Sequence, residues 1–268
     1  MLAEATATLA LLGGAPADDP GYRFARSLAL AGARPAAGRL ERRAQERAAR
    51  RFTAAGLAVT TQPVPVPGLG RSRNVIGVLQ RPADCLFVVM AHADTVPPAP
   101  GAEDNASGVG TLVAFAPRLA ALAPRCDVWL VATGAEERIH TGQPDHLGAA
   151  ALVRRVRRTR PGDLRWALSL DEVGRGRAMW LRSPRRRGLE RRIVAAAAGT
   201  GLDVRWVADA GEGLSDHREF TLAGEVAAKL GVPDNPARHT AADVAGRLEP
   251  RTFPRVRALL ANLLRDPR

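Results

Sequence analysis

Three apolar runs that stop at metal-competent side chains constrain this chain more than any other feature. Cys85–Ala91 (CLFVVMA) leads to His92 and Asp94. Asp127–Thr133 (DVWLVAT) leads to Glu136 and Glu137, and Trp166–Leu170 (WALSL) leads to Asp171 and Glu172. Near-continuous apolar strands are expected where both faces of a sheet are covered. Between them lie helical periods over Gly108–Leu122 and His146–Arg158. This alternation predicts an α/β fold with a mixed, largely parallel central sheet flanked by helices. In such a sheet the crevice beyond the carboxyl ends of the strands takes the ligand, so all three runs deliver their polar residues to one place.

The remaining chain completes a single domain over residues 1–268, with no repeat and no long polar linker. Helices are expected over 2–12 and 38–55, the second closed by Gly56, with a turn at Asp18-Asp19-Pro20-Gly21 between them. Leu57–Pro65 and Arg73–Gln80 read as a ribbon turned by Pro67-Gly68-Leu69-Gly70. Met179–Leu181 and Val204–Val207 are further strands, Leu189–Ala198 a helix, and Thr252–Leu264 the last helix.

Composition removes several chemistries. Lys229 is the single lysine among 39 cations, and no G-x-x-x-x-G-K precedes it, so P-loop chemistry is excluded. A Schiff base could form only there. Cys85 and Cys126 are too few for a cysteine-rich zinc module, and because each opens an apolar run they are expected as two buried free thiols. The net charge of +12 comes from arginine runs such as Arg154–Arg160 and Arg185–Arg192. Aromatics make up 4% of the chain and none interleave with these runs, so they read as solvated surface rather than a specific nucleic-acid site. No segment reaches the roughly 18 apolar residues of a membrane span. The N-terminus MLAEATATLALLGG carries Glu4 and no basic region, a poor secretory signal, so a cytoplasmic protein without membrane attachment is expected, or a secreted one if a signal has been removed.

The acidic loop Gly101–Gly108 (GAEDNASG) and the segment His239-Thr240-Ala241-Ala242-Asp243 complete the polar set. Nitrogen and oxygen donors together suit zinc first, then cobalt or manganese. H-E-x-x-H, H-x-x-E-H and G-x-S-x-G are absent, and the G-x-G strings at Gly68, Gly174 and Gly211 lack the dinucleotide pattern. The residues alone therefore give a metal site with several carboxylates and two histidines, without assigning the ligands one by one.

The ordered set is more specific. His92-x-Asp94, Gly101-x-x-Asp104-Asn105-x-Ser107-Gly108, Glu136-Glu137, Leu170-Asp171 with Gly174, Ser215-Asp216-His217-x-x-Phe220 and His239-Thr240-x-x-Asp243 occur in sequence. Together they resemble the M28 family of zinc exopeptidases over about residues 40–250. The resemblance implies two zinc ions per chain: His92 and Asp171 on one, Glu137 and His239 on the other, and Asp104 bridging both. It implies Glu136 as general base and then general acid towards a dizinc-bridged water, and Asp94 as the carboxylate that orients the His92 ring. The implied activity is an aminopeptidase acting on peptides or amino-acid amides, as a monomer or small homo-oligomer. The alternatives are a carboxypeptidase, an aminoacylase, a glutaminyl-cyclase-like enzyme, or a non-catalytic metal-stabilised binding protein.

Several positions depart from the family. Relatives place a tyrosine near the metals, but Tyr22 is the only tyrosine here, and Arg238 precedes His239. Arg238 is therefore the candidate oxyanion or substrate contact, with a surface salt bridge as the plain alternative. His140-Thr141-Gly142-Gln143 stands where Gly-Ser is usual, and Glu225-Val226 where a small apolar residue and proline are usual. His140 and His146 read as loop and helix-start residues, Asp216 and His217 as a packing and substrate-wall segment, and Asp243 as a brace for the His239 loop. Glu172 competes with Asp171 in register.

Overall fold

The computed structural model describes residues 16–137, 145–185, 188–209 and 213–265. β1 (Ala58–Val66) and β2 (Gly70–Leu79) form the expected antiparallel ribbon, whose turn uses Gly68 and Gly70 at φ of 73° and 111°. β2 continues antiparallel onto β4 (Asp127–Thr133). The centre is parallel: β4, β3 (Leu86–His92), β5 (Leu164–Leu170) and β8 (Ala227–Gly231). β6 (Ala178–Ser183) joins β8 antiparallel and pairs in parallel with β7 (Asp203–Ala208) at the far edge. The strand order β1-β2-β4-β3-β5-β8-β6-β7 confirms a mixed α/β sheet with a parallel core. Because β4 and β5 lie on opposite sides of β3, the order reverses there, and the crevice opens above the end of β3.

Alternation along the strands explains how both faces are covered. Phe87, Val89 and Ala91 face one core layer, shared with α1 (Pro20–Ala29), α2 (Arg39–Ala54), α3 (Ser107–Leu122), α5 (Gly188–Ala196) and α7 (Thr252–Arg265). Val88 and Met90 face the other, shared with α4 (Leu147–Thr159) and α6 (His217–Leu222). Every residue of β3 and β4 is buried, which is why their sequences carry no polar alternation. Phe87 stacks on Trp166 with ring centroids 4.5 Å apart, fixing β3 against β5 in the larger layer.

Three elements were not anticipated. The expected turn at Asp18–Gly21 is the start of α1, where the Asp19 carboxylate accepts from Gly21 N (2.9 Å) and Tyr22 N (3.0 Å). Aspartate followed by proline is as good a helix cap as a turn. α6 and β8 were also missed, both being short. The helix expected over 2–12 lies outside the described residues.

The cysteines correct a second expectation: Cys85 and Cys126 form a disulfide, with Cα atoms 4.9 Å apart. They are the residues just before β3 and β4, whose register pairs Leu86 with Asp127 and so sets the two sulfurs side by side. The bond closes a separation of 41 residues and is expected to contribute about 3–4 kcal/mol. A reductant should therefore lower the denaturation midpoint of the wild type but not of a Cys85→Ser/Cys126→Ser variant. Equal midpoints for the wild type with and without reductant would show that the thiols are free.

Candidate metal centre

The carboxyl ends of β3, β4 and β5 bring together the residues singled out by pattern. His92 is the last residue of β3 and 1% exposed. Its Nε2 lies 3.2 Å from Asp104 Oδ1 and 3.5 Å from Asp171 Oδ1. On the other side, His239 Nε2 lies 3.3 Å from Asp104 Oδ2 and 3.1 Å from Glu137 Oε2. Asp104 thus offers one oxygen to each histidine. The cluster divides into two nitrogen–oxygen sets that share a single carboxylate.

Electrostatics marks the same cluster as a cation site. Burial, with Asp104 and Glu136 nearby, pushes the Glu137 carboxyl up to about 8. Burial also opposes charge on Asp104, but hydrogen bonds from His239 and His92 outweigh it and hold its pKa at about 2. Asp171 Oδ1 is buried and has no hydrogen-bond partner among the described residues. Carboxylates packed this closely are stabilised by positive charge placed among them. The donor set, imidazole nitrogen with carboxylate oxygen, matches zinc.

Backbone contacts aim these side chains. The Asp94 carboxylate accepts from Glu136 N (3.1 Å) and Glu137 N (3.0 Å), fixing the segment after β4. His92 Nδ1 is nearer the Asp94 carbonyl oxygen (3.2 Å) than its Oδ1 (3.8 Å). The ring is therefore oriented mainly by the main chain of Asp94, because its carboxylate is engaged by two amides. Glu137 turns to His239 and Glu136 to His146, as adjacent residues at a strand end should diverge. Burial opposes charge on His146, yet Glu136 and Glu219 raise its pKa to about 10.

The loop bearing Asp104 is held from two sides. Asp243 accepts from Glu103 N (2.9 Å) and Asp104 N (3.0 Å), so it ties the Asp104 loop to the His239 segment. Asn105 accepts from Gly108 N (2.9 Å) at the start of α3 and donates to Leu170 O (2.8 Å), leaving Asp104 free of any capping role. Gly101 adopts φ of 61°, and a Cβ there would come within 2.1 Å of Thr95 Cγ2. Arg34, which pattern reading missed, is buried and donates to the carbonyls of Ala93, Pro100 and Gly101, strapping down the loop after β3.

Lys229 was also missed as a site residue. Its Nζ lies 2.7 Å from Asp171 Oδ2 and 3.7 Å from Glu172 Oε2. A lone charge inside the apolar run AAKLG was the available signal. Glu172, at φ of 65°, turns away and accepts from Asn235 Nδ2 at 2.8 Å, which resolves the register in favour of Asp171. His217 lies outside the cluster with Nε2 2.8 Å from Asp209 Oδ2, and Asp216 accepts from the Thr133 hydroxyl at 2.5 Å. His140 falls outside the described residues.

A cavity of about 170 Å³ opens over the cluster, walled by Asp145, His146, Leu214 and Arg238 in addition to the candidate ligands and Glu136. Among the described residues the Arg238 guanidinium makes no salt bridge, but it lies in the field of the cluster's carboxylates. Burial lowers its pKa, but Glu172, Asp104 and Asp171 outweigh that and hold it raised.

Glu103 supplies a test of the buried acidic shell. Its Oε1 accepts from Gly174 N at 2.9 Å, Oε2 has no hydrogen-bond partner among the described residues, and burial raises its pKa from 4.5 to about 8. A carboxyl raised on folding contributes most below pH 4.5, and that contribution is lost as pH climbs through about 8. With chelator present, the wild-type Tm should fall across this window more steeply than that of Glu103→Gln. Parallel Tm–pH curves would refute the assignment.

The profile of peptidase family M28 matches residues 74–264. The chain belongs to peptidase family M28. Its fold superposes on BSAP, a zinc aminopeptidase from Bacillus subtilis, with a TM-score of 0.81 at 16% identity, covering 91% of this chain and 93% of that one. A glutaminyl cyclase from Fimbriiglobus ruber gives 0.83 at 19% identity, covering 94% and 95%. Among sequence relatives, the uncharacterized protein YfbL of Escherichia coli K12 is 35% identical over 94 residues, or 32% of this chain. That match spans only 29% of YfbL. At these identities the solved structures establish the fold of this M28 chain.

Proposed function

We propose that this M28 chain is a zinc-dependent exopeptidase, acting foremost as an aminopeptidase on peptides or amino-acid amides. The observation that carries the reading is Asp104, which presents Oδ1 to His92 and Oδ2 to His239. His92 with Asp171, and Glu137 with His239, would each hold one zinc, and Asp104 would span the pair. When bound, zinc supplies Lewis acidity that polarises the scissile carbonyl and eases deprotonation of water.

The chain's own groups do the rest. Glu136, whose amide is fixed by Asp94, would take the proton of the attacking water and return it to the leaving amine. Arg238, at the cavity wall, would face the oxyanion in place of the missing tyrosine. Lys229 would keep Asp171 Oδ2 engaged, leaving Oδ1 to the metal. The disulfide favours an oxidising, extracytoplasmic compartment over a cytoplasmic one.

Cyclases share this fold, so the test must separate amide hydrolysis from cyclisation. Zinc-loaded protein should carry two zinc ions per chain and cleave free-amine aminoacyl p-nitroanilides, but not their N-acetyl counterparts. Equal turnover of free and blocked substrates would sink the aminopeptidase reading. Ammonia release confined to N-terminal glutaminyl peptides would assign it as a cyclase.

A further inference from the structure

His146 immediately precedes α4 and is held in the left-handed region at φ 51° and ψ 37°. A side chain other than glycine or asparagine stays there only where its surroundings over-determine it. Two main-chain bonds do so: His146 N donates to Glu136 O and Leu147 N to Ala135 O, each at 2.9 Å. They lay the start of α4 along the segment that carries Glu136. The ring is 4% exposed, with Nε2 3.4 Å from Glu136 Oε1. Behind it, Nδ1 lies 3.5 Å from Glu219 Oε1 and 3.9 Å from Asp145 Oδ1. A chain of Glu136, His146 and Glu219 therefore runs from the metal cavity outward to α6.

We propose that His146 is the positioning residue for Glu136: its Nε2–H engages Oε1 and fixes the carboxylate rotamer, leaving Oε2 for the proton of the attacking water. The two main-chain bonds and burial hold the ring in register, with the negative charge of Glu219 and Asp145 behind Nδ1. The inference rests on Glu136 being the general base. No proton is lost in the arrangement, because the proton taken from water goes on to the leaving amine while His146 keeps its own.

The same three groups, Asp145, His146 and Glu219, could in outline hold a cation. Arg218 speaks against that: its Nη1 lies 2.9 Å from Glu219 Oε1 and 3.4 Å from Asp145 Oδ1, so positive charge is already in place. A histidine that aims a carboxylate accounts for Nε2, while Nδ1, which makes no hydrogen bond among the described residues, faces Glu219 and Asp145 at ion-pair distance.

The test compares His146→Ala and His146→Gln, whose side-chain amide can reach the position of Nε2, with Glu136→Gln in parallel. Loss of a group that orients a reacting side chain costs about 10- to 100-fold in activity. His146→Ala should lose that much in kcat, with KM within about twofold and zinc content unchanged. His146→Gln should regain most of the loss. Wild-type kcat in His146→Ala, or equal impairment of both variants together with a lower Tm, would overturn the inference. So would a third zinc equivalent in the wild type that vanishes in His146→Ala. If Glu136→Gln itself turns over normally, the general-base reading has failed. If Glu136→Gln is inactive and His146→Ala is not, only the role of His146 falls.

Discussion

Glu136→Gln is expected to fold, to hold two zinc ions per chain, and to lose about 10²- to 10⁴-fold in kcat. The size of the loss follows from what the substitution spares. The tie between residue 136 and Asp94 runs through the backbone amide and survives. The glutamine carbonyl can still accept from His146 Nε2, which lies 3.4 Å from Oε1 in the wild type. What disappears is the capacity to take a proton. KM should stay near its original value, since Glu136 is not among the proposed ligands. Metal analysis beside a kcat–KM split reads the result, and undiminished turnover by the zinc-loaded variant would remove Glu136 from the mechanism.

Asp104→Asn is expected to separate the two halves of the centre. Asparagine preserves the side-chain volume and the main-chain bond from residue 104 to Asp243, so the loop should keep its course. It offers one carbonyl oxygen where the aspartate offered two. Zinc content should fall to about one per chain, and kcat/KM by about 10³-fold, the equivalent of several kcal/mol of lost charge stabilisation. Retention of two tightly bound zinc ions would show that Asp104 does not span the pair.

Much of the molecule is readable along the chain, and the exceptions share one cause. β3 and β4 were placed within a residue of their ends because unbroken apolar runs admit few other readings. Ligand candidates stood out because they terminate those runs. What escaped depends on partners distant in sequence. Lys229 interrupts an apolar strand with a charge, and only its contact with Asp171 makes β8 plausible. Arg34 is one of many arginines until its three carbonyl partners are in view. The disulfide depends on the relative register of two strands, which no local pattern encodes. His146 looked like a helix start, and it is one. Its facing of Glu136 arises from how α4 docks on the segment after β4.

The Asp94 carboxylate, which accepts the amides of both Glu136 and Glu137, has a consequence for how this centre can change over time. One side chain sets the attitude of the residue proposed to move protons and of its neighbour proposed to hold metal, while its carbonyl steadies His92. Substitutions at these positions should therefore be strongly epistatic, with combined effects far from the sum of single ones. Variation that alters substrate preference has an easier route through Leu214 and Arg238, which line the cavity outside that shared anchor.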